Sequence, residues 1–345
     1  MTQIAAVLVV IGALPLLWRP VFSAWAPAEA RATPSYIPAL EPARAREPFD
    51  PAPIDELRAI NPGLVVIGDS MAGRIHKRRL EELSGVPVAP ILRNATGSAH
   101  WFLIFKNYVI ASGIRPKAVI VFFRETNLTD PMFRLGDPYR TNADPLSRDS
   151  EPELDAAVAA RTQGAWFRVH SAVERAYQVE QVRRWLEPGL AAMPARAVAG
   201  GGAERQGARD ALLTQVNAAF ALDRLRPSVA ADMASVAGDP LDFQRDVARS
   251  VLPAFLALAR EHGIRLIFVR VLRRPEHGRA PAEPPALQQY IRDLDAYLDA
   301  NGAIFRDDRH YPGMAALQYD DGDHISRAAM VPYTELFYEQ MAAHL

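Results

Sequence analysis

The stretch Leu64-Val65-Val66-Ile67-Gly68-Asp69-Ser70-Met71 decides how the chain folds. A short β-branched apolar run breaks off at Gly-Asp-Ser, and a helix-like pattern follows from Arg74 to Leu83. An α/β protein presents a residue in this way at the carboxyl end of a parallel strand, where such sheets place their ligands. Ser70 then sits on the turn as a candidate nucleophile. The rest of the chain must supply a base, an orienting acid and donors for an oxyanion.

Working outward, Ile54 to Ile60 reads as a short helix, and Asn61-Pro62-Gly63 as the turn that launches the strand Leu64 to Ile67. Val86 to Leu92 reads as a second strand, ending at Arg93-Asn94-Ala95-Thr96-Gly97-Ser98. Trp101 to Ala111 is an apolar helix closed by Gly113, and Lys117 to Phe123 is a third strand that ends at Arg124-Glu125-Thr126-Asn127. Strands alternating with helices at this spacing predict a parallel sheet with crossover helices.

The alternation stops near Asp130. From Glu151 to Ala237 the sequence is rich in Ala, Arg and Leu with helical periodicity, which predicts a helical insertion over residues 131–240, a lid or a docking surface. Leu241 to His262 predicts one amphipathic helix stopped by Gly263. Arg265 to Val271 restores the sheet, Pro285 to Asn301 is a further helix, and Ala303 to Phe305 is the last strand. The polar run Tyr319-Asp320-Asp321-Gly322-Asp323-His324 precedes a final helix reaching His344.

The 345 residues suffice for a sizeable core. With 39 Lys and Arg against 40 Asp and Glu, the near-neutral charge gives no global reason to expect nucleic acid or a strongly acidic partner. Cysteine is absent, which excludes disulfides, thiolate metal sites and cysteine nucleophiles. The histidines other than His324 show no metal-ligand spacing among themselves, and neither a metal nor a cofactor is expected.

Ile4 to Trp18 is almost wholly apolar; carried to Trp25 it reaches about 22 residues, near the roughly 20 that span a bilayer. A signal anchor, a cleaved signal peptide and a buried helix compete as readings of residues 1–26. Ala24-Trp25-Ala26 and Ala28-Glu29-Ala30 are cleavage candidates. Residues 27–53, with prolines at 27, 34, 38, 42, 48, 51 and 53, read as an extended linker to a folded domain of residues 54–345. The expectation is an extracytoplasmic domain, anchoring ahead of cleavage.

Ser70 needs a base. His324 lies in an acidic loop after the last strand and before the closing helix, and Asp321, three residues earlier, can accept a hydrogen bond from one imidazole nitrogen. That leaves the other nitrogen free to take the serine proton. Asp320 is an alternative orienter, and an acid-rich surface loop or carboxylate cluster is the competing reading. Arg124, Glu125, Arg270, Arg273 and Arg274 sit at strand ends, where they either bind substrate or buttress loops. His100 and Trp101 either line the pocket or pack on the core.

Gly68-Asp69-Ser70 after the first strand, Asn94 with Gly97 after the second, Asn127 after the third and Asp321-x-x-His324 near the end resemble the SGNH (GDSL-like) hydrolases. The resemblance covers residues 64–130 and 240–340. It implies a flavodoxin-like three-layer α/β sandwich with a mostly parallel central sheet and, here, a helical insertion. It also implies a triad of Ser70, Asp321 and His324. The implied oxyanion hole is formed by the Ser70 amide, the Gly97 amide and the Asn127 side chain. Asn94, Arg124 and Arg270 are the candidate substrate-binding residues. Two blocks depart from the family pattern: Glu125-Thr126-Asn127-Leu128 keeps only the asparagine of Gly-x-Asn-Asp, and Thr96 stands at the usual glycine spacing with Gly97 one residue later.

Hydrolysis and acyl transfer share an acyl-serine and differ only in whether water or a sugar hydroxyl attacks second. Membrane-tethered relatives with a helical insertion resemble extracytoplasmic partners of membrane-bound O-acyltransferases. The resemblance therefore implies a carbohydrate O-acetyltransferase or esterase. A non-catalytic scaffold and a lipid-directed esterase or thioesterase are the alternatives.

Overall fold

β1 (Leu64–Gly68) is flanked by β2 (Val88–Leu92) on one side and β3 (Ala118–Phe123) on the other. β4 (Arg265–Arg270) and β5 (Ile304–Asp307) follow outward from β3. All four pairings are parallel, and the order is β2-β1-β3-β4-β5, the flavodoxin-like arrangement. This computed structural model describes residues 47–135, 142–162, 241–274, 282–310, 319 and 324–345. Apart from Thr162, they belong to one unit built from residues 31–161 and 239–345.

The apolar runs of the strands read as continuous because both faces of the sheet are covered. Val65, Ile67, Val119, Val121 and Phe268 point to one side. There they meet α1 (Ala52–Ile60), α3 (Ser98–Ile104), α6 (Leu252–Glu261) and α7 (Pro285–Ala300). Leu64, Val66, Ile120, Phe122 and Val269 point to the other side, against Leu80 of α2 (Lys77–Ser84) and Tyr333, Phe337 and Met341 of α8 (Met330–Met341). Each such buried side chain contributes about 1.5–3 kcal/mol. The three-layer sandwich expected from the sequence is therefore present.

Two expectations are revised. Leu241 to His262 forms two helices, α5 (Phe243–Ala248) and α6, because Pro253 occupies the first turn of α6 and the Ser250 hydroxyl accepts the Leu252 amide at 3.2 Å. Within the stretch assigned to the insertion, residues 142–161 pack on the sheet domain. Leu146 and, from α4 (Pro152–Thr162), Leu154 and Val158 are fully buried in its core. A π-helical turn over Phe105–Ile110 directs Asn107 inward, where its Nδ2 donates to the Leu146 carbonyl at 2.8 Å and to Glu151 Oε1 at 2.6 Å. Residues 163–240 of the expected insertion lie outside the described residues, as do the amino-terminal segment and most of the linker. Among the described residues, no helix is long and apolar enough to cross a membrane.

Beyond the carboxyl end of β5, the fully buried Asp308 accepts the Tyr333 hydroxyl at 2.8 Å and pairs with Arg306. Burial pushes its carboxyl up to about 6, against the opposing pull of Arg306 and Tyr333. A carboxyl raised from 3.8 holds its proton more tightly when folded, so its contribution is full below pH 3.8 and is lost as pH rises through about 6. The whole span is worth about 3 kcal/mol. Urea unfolding of the wild type and of Asp308→Asn between pH 4 and 8 is expected to show a difference that moves in favour of the wild type as pH falls below 6. A difference that stays constant over that range refutes the assignment.

Candidate active site

The crossovers change side between β1 and β3, which opens a crevice at their carboxyl ends. Ser70 lies just past β1. Gly68 is required there: a Cβ would stand 2.6 Å from the Ala72 Cβ and 3.3 Å from the Phe122 Cβ. Without one, the 3-10 turn Ala72–Arg74 closes directly over the strand end. The Asp69 carboxylate accepts the Met71 amide at 2.8 Å and so shapes the turn that turns Ser70 outward. Burial raises the Asp69 carboxyl, while that amide, Arg124 and Arg134 pull it back down.

His324 arrives from 254 residues further along the chain, and its Nε2 stands 2.7 Å from Ser70 Oγ. A Tyr319–Ile325 antiparallel bridge closes the base of the loop that carries His324, and the Ser326 hydroxyl caps the following 3-10 turn by accepting the Ala329 amide at 3.3 Å. With Nε2 turned to the serine, Nδ1 is the nitrogen left for an orienting carboxylate. Asp321, the expected orienter, and Asp320, the alternative, lie outside the described residues.

Ser70 opens into a cleft of about 510 Å³ lined also by Asp69, Gly73, Arg74, Leu92, Asn94, Arg327 and Met330. That volume is within the roughly 300–1,000 Å³ of small-molecule sites. Asn94, a candidate substrate-binding residue, lines this cleft. Arg74, Leu92, Arg327 and Met330 were not expected there. Arg74 and Arg327 look in the sequence like ordinary polar residues of helical turns, and only the docking of α8 beside the end of β1 brings them together.

Asn127 ends a tight turn after β3. Its backbone amide donates to the Arg124 carbonyl and its Oδ1 accepts the Arg124 amide, both at 2.9 Å. This bond identifies the oxygen of the carboxamide and leaves Nδ2 without a hydrogen bond among the described residues. Arg124 itself is largely buried, with Nη2 3.3 Å from Met71 Sδ, so it packs behind the nucleophile turn.

The Gly97 amide is engaged differently from the expectation: it donates to His100 Nδ1 at 3.3 Å. Glycine is needed at this position because a Cβ would meet Phe133 Cδ1 at 2.8 Å. His100 and Trp101 are fully buried, so they pack on the core rather than line the cleft. Trp101 Nε1 donates to Thr96 Oγ1 at 3.1 Å, and that hydroxyl donates to the Arg93 carbonyl at 2.7 Å. Burial drives the His100 imidazole down to about 3, so it stays neutral.

Arg270 does not face the cleft. Its side chain is 1% exposed and is held by Glu125, Glu283 and, at 3.0 Å, Asp307. A guanidinium buried among three carboxylates is not available to a substrate, which corrects the expectation for this residue. Among the described residues, no group of three His, Asp or Glu side chains is placed to hold a metal ion.

No family model matches the chain, and no curated protein matches it. Two crystal structures are similar to it. A protein assigned as an acylhydrolase from Bacteroides fragilis is 11% identical, over 81% of this chain and 86% of that one, with a TM-score of 0.35. A GDSL-like lipase from Bacteroides thetaiotaomicron is 12% identical, over 82% of this chain and 88% of that one, also with a TM-score of 0.35.

Proposed function

We propose that the chain is an extracytoplasmic serine-dependent O-acyl, specifically O-acetyl, transferase or esterase acting on cell-surface carbohydrate. The observation that carries this reading is the 2.7 Å contact between Ser70 Oγ and His324 Nε2 at the carboxyl end of β1. In the proposed reaction His324 Nε2 takes the Ser70 proton as Oγ attacks the ester carbonyl. The tetrahedral oxyanion is met by the Ser70 amide and the Asn127 Nδ2. The Gly97 amide can join them only by releasing His100. The imidazolium then protonates the departing alkoxide, leaving an acyl-serine. A water or a sugar hydroxyl, deprotonated in turn by His324, takes the acyl group and restores Ser70. Asp321 orients His324 throughout.

A carbohydrate acceptor suits a cleft whose rim offers Asn94, Arg74 and Arg327 as polar groups beside the apolar Leu92 and Met330. The apolar amino-terminal segment motivates a membrane tether and, with the family resemblance, partnership with a membrane-bound O-acyltransferase. A fluorophosphonate probe tests the chemistry: intact protein is expected to gain one adduct, which peptide mass spectrometry locates on Ser70. Protein that takes up no probe and turns over no acyl ester instead favours a non-catalytic scaffold.

A further inference from the structure

We infer that the buried ion cluster around Arg270 positions Asn127 for its role in the oxyanion hole, a role that rests on the function proposed above. In the cluster Arg270, Arg273 and Arg309 meet Glu125, Glu283 and Asp307. Arg270 joins all three carboxylates. Glu125 is also 3.5 Å from Arg273 Nη1 and 3.7 Å from Arg309 Nη1, and Arg309 pairs with Glu283. These groups come from the ends of β3, β4 and β5 and from the residues just before α7, so one guanidinium ties together the carboxyl ends of these three strands.

Stability alone does not account for such a cluster. Desolvating ions offsets most of their attraction, and apolar side chains of similar volume commonly hold a core as well or better. Charged, directional bonds specify a geometry instead. The geometry specified here is unusual, because Glu125 has φ +41° although it is not glycine. A residue in that region persists only where its surroundings hold it. Glu125 is the second residue of the turn whose fourth residue is Asn127. Since the Arg124 amide takes Asn127 Oδ1, the direction of Nδ2 follows from the shape of this turn. The Glu125 carboxylate is the handle by which the cluster holds it. Arg270 and Glu125 are thus positioning residues, acting through Asn127 without touching the reacting atoms.

In protein labelled with 15N at asparagine, Glu125→Gln and Glu283→Gln are expected to shift or broaden the Asn127 side-chain amide signal. Arg79→Gln, which alters a half-exposed pair with Glu335, is expected to leave it in place. With p-nitrophenyl acetate, Glu125→Gln is expected to lower kcat about tenfold while KM stays within about twofold, as befits a loss confined to the transition state. In the Asn127→Ala background it is expected to cost nothing more. An unmoved Asn127 signal in both glutamine variants overturns the inference, as does a Glu125→Gln loss that multiplies the Asn127→Ala loss. Should the wild type turn over no ester, the esterase reading fails on its own, and the Asn127 signal alone decides the positioning.

Discussion

Ser70→Ala is expected to lower acyl-ester turnover by roughly 10⁴- to 10⁶-fold, with the fold unchanged. This corresponds to about 5–8 kcal/mol of barrier. The size follows from covalent catalysis: without Oγ no acyl-enzyme forms, and the remaining groups can only orient a water. The substitution removes one half-exposed hydroxyl, whose recorded partner is His324, and opens no core cavity, so thermal unfolding should match the wild type. His324→Ala is expected to lose a comparable factor, because an un-ionised serine hydroxyl is a weak nucleophile. The double variant should be no worse than either single one, since the pair acts as a unit. Steady-state turnover of an acetyl ester checks all three. Wild-type rates in Ser70→Ala would sink the serine mechanism.

Arg270→Met is expected to lower unfolding stability by about 3–5 kcal/mol, the cost of leaving buried charge unpaired. Methionine has similar length and no charge, so the loss is electrostatic rather than one of volume. It leaves Arg273 and Arg309 facing Glu125, Glu283 and Asp307. Burial works against the charge on Arg270, yet Glu125 and Asp307 hold its ionisation above the ordinary arginine range, so in the wild type the guanidinium stays charged. The control is Arg79→Ala: its pair with Glu335 is half-exposed and screened by solvent, so a much smaller loss is expected. Denaturant unfolding of the two variants separates these cases. Equal, small losses would show that the Arg270 cluster is not the buried ionic centre described here.

The amino-acid sequence by itself determined the sheet. Its central strands β1, β3 and β4 are apolar runs ended by glycine or polar residues, and hydrophobic burial on both faces leaves such runs few other places to go. It also determined the nucleophile turn, since Gly68 is the residue that lets Ala72 approach within the space a Cβ would need. The sequence suggests pairing Ser70 with His324 on chemical grounds, and the fold brings the two side chains to 2.7 Å across 254 positions.

The helix break at Ser250–Pro253 is not legible in the sequence because helical periodicity continues through it, and only the hydroxyl cap and the proline ring interrupt the backbone ladder. Arg270 is ambiguous in the sequence for a different reason. An arginine at a strand end looks the same whether it meets a substrate or three carboxylates. Two of those three, Glu283 and Asp307, come from segments whose approach depends on how α7 and β5 pack. The Gly97 amide, expected to face an oxyanion, was likewise committed to His100 by the local winding of α3. Local chemistry and hydrophobic pattern are properties of the chain. Which donor faces the cleft and which charge is buried are relations between distant segments, and packing alone decides them.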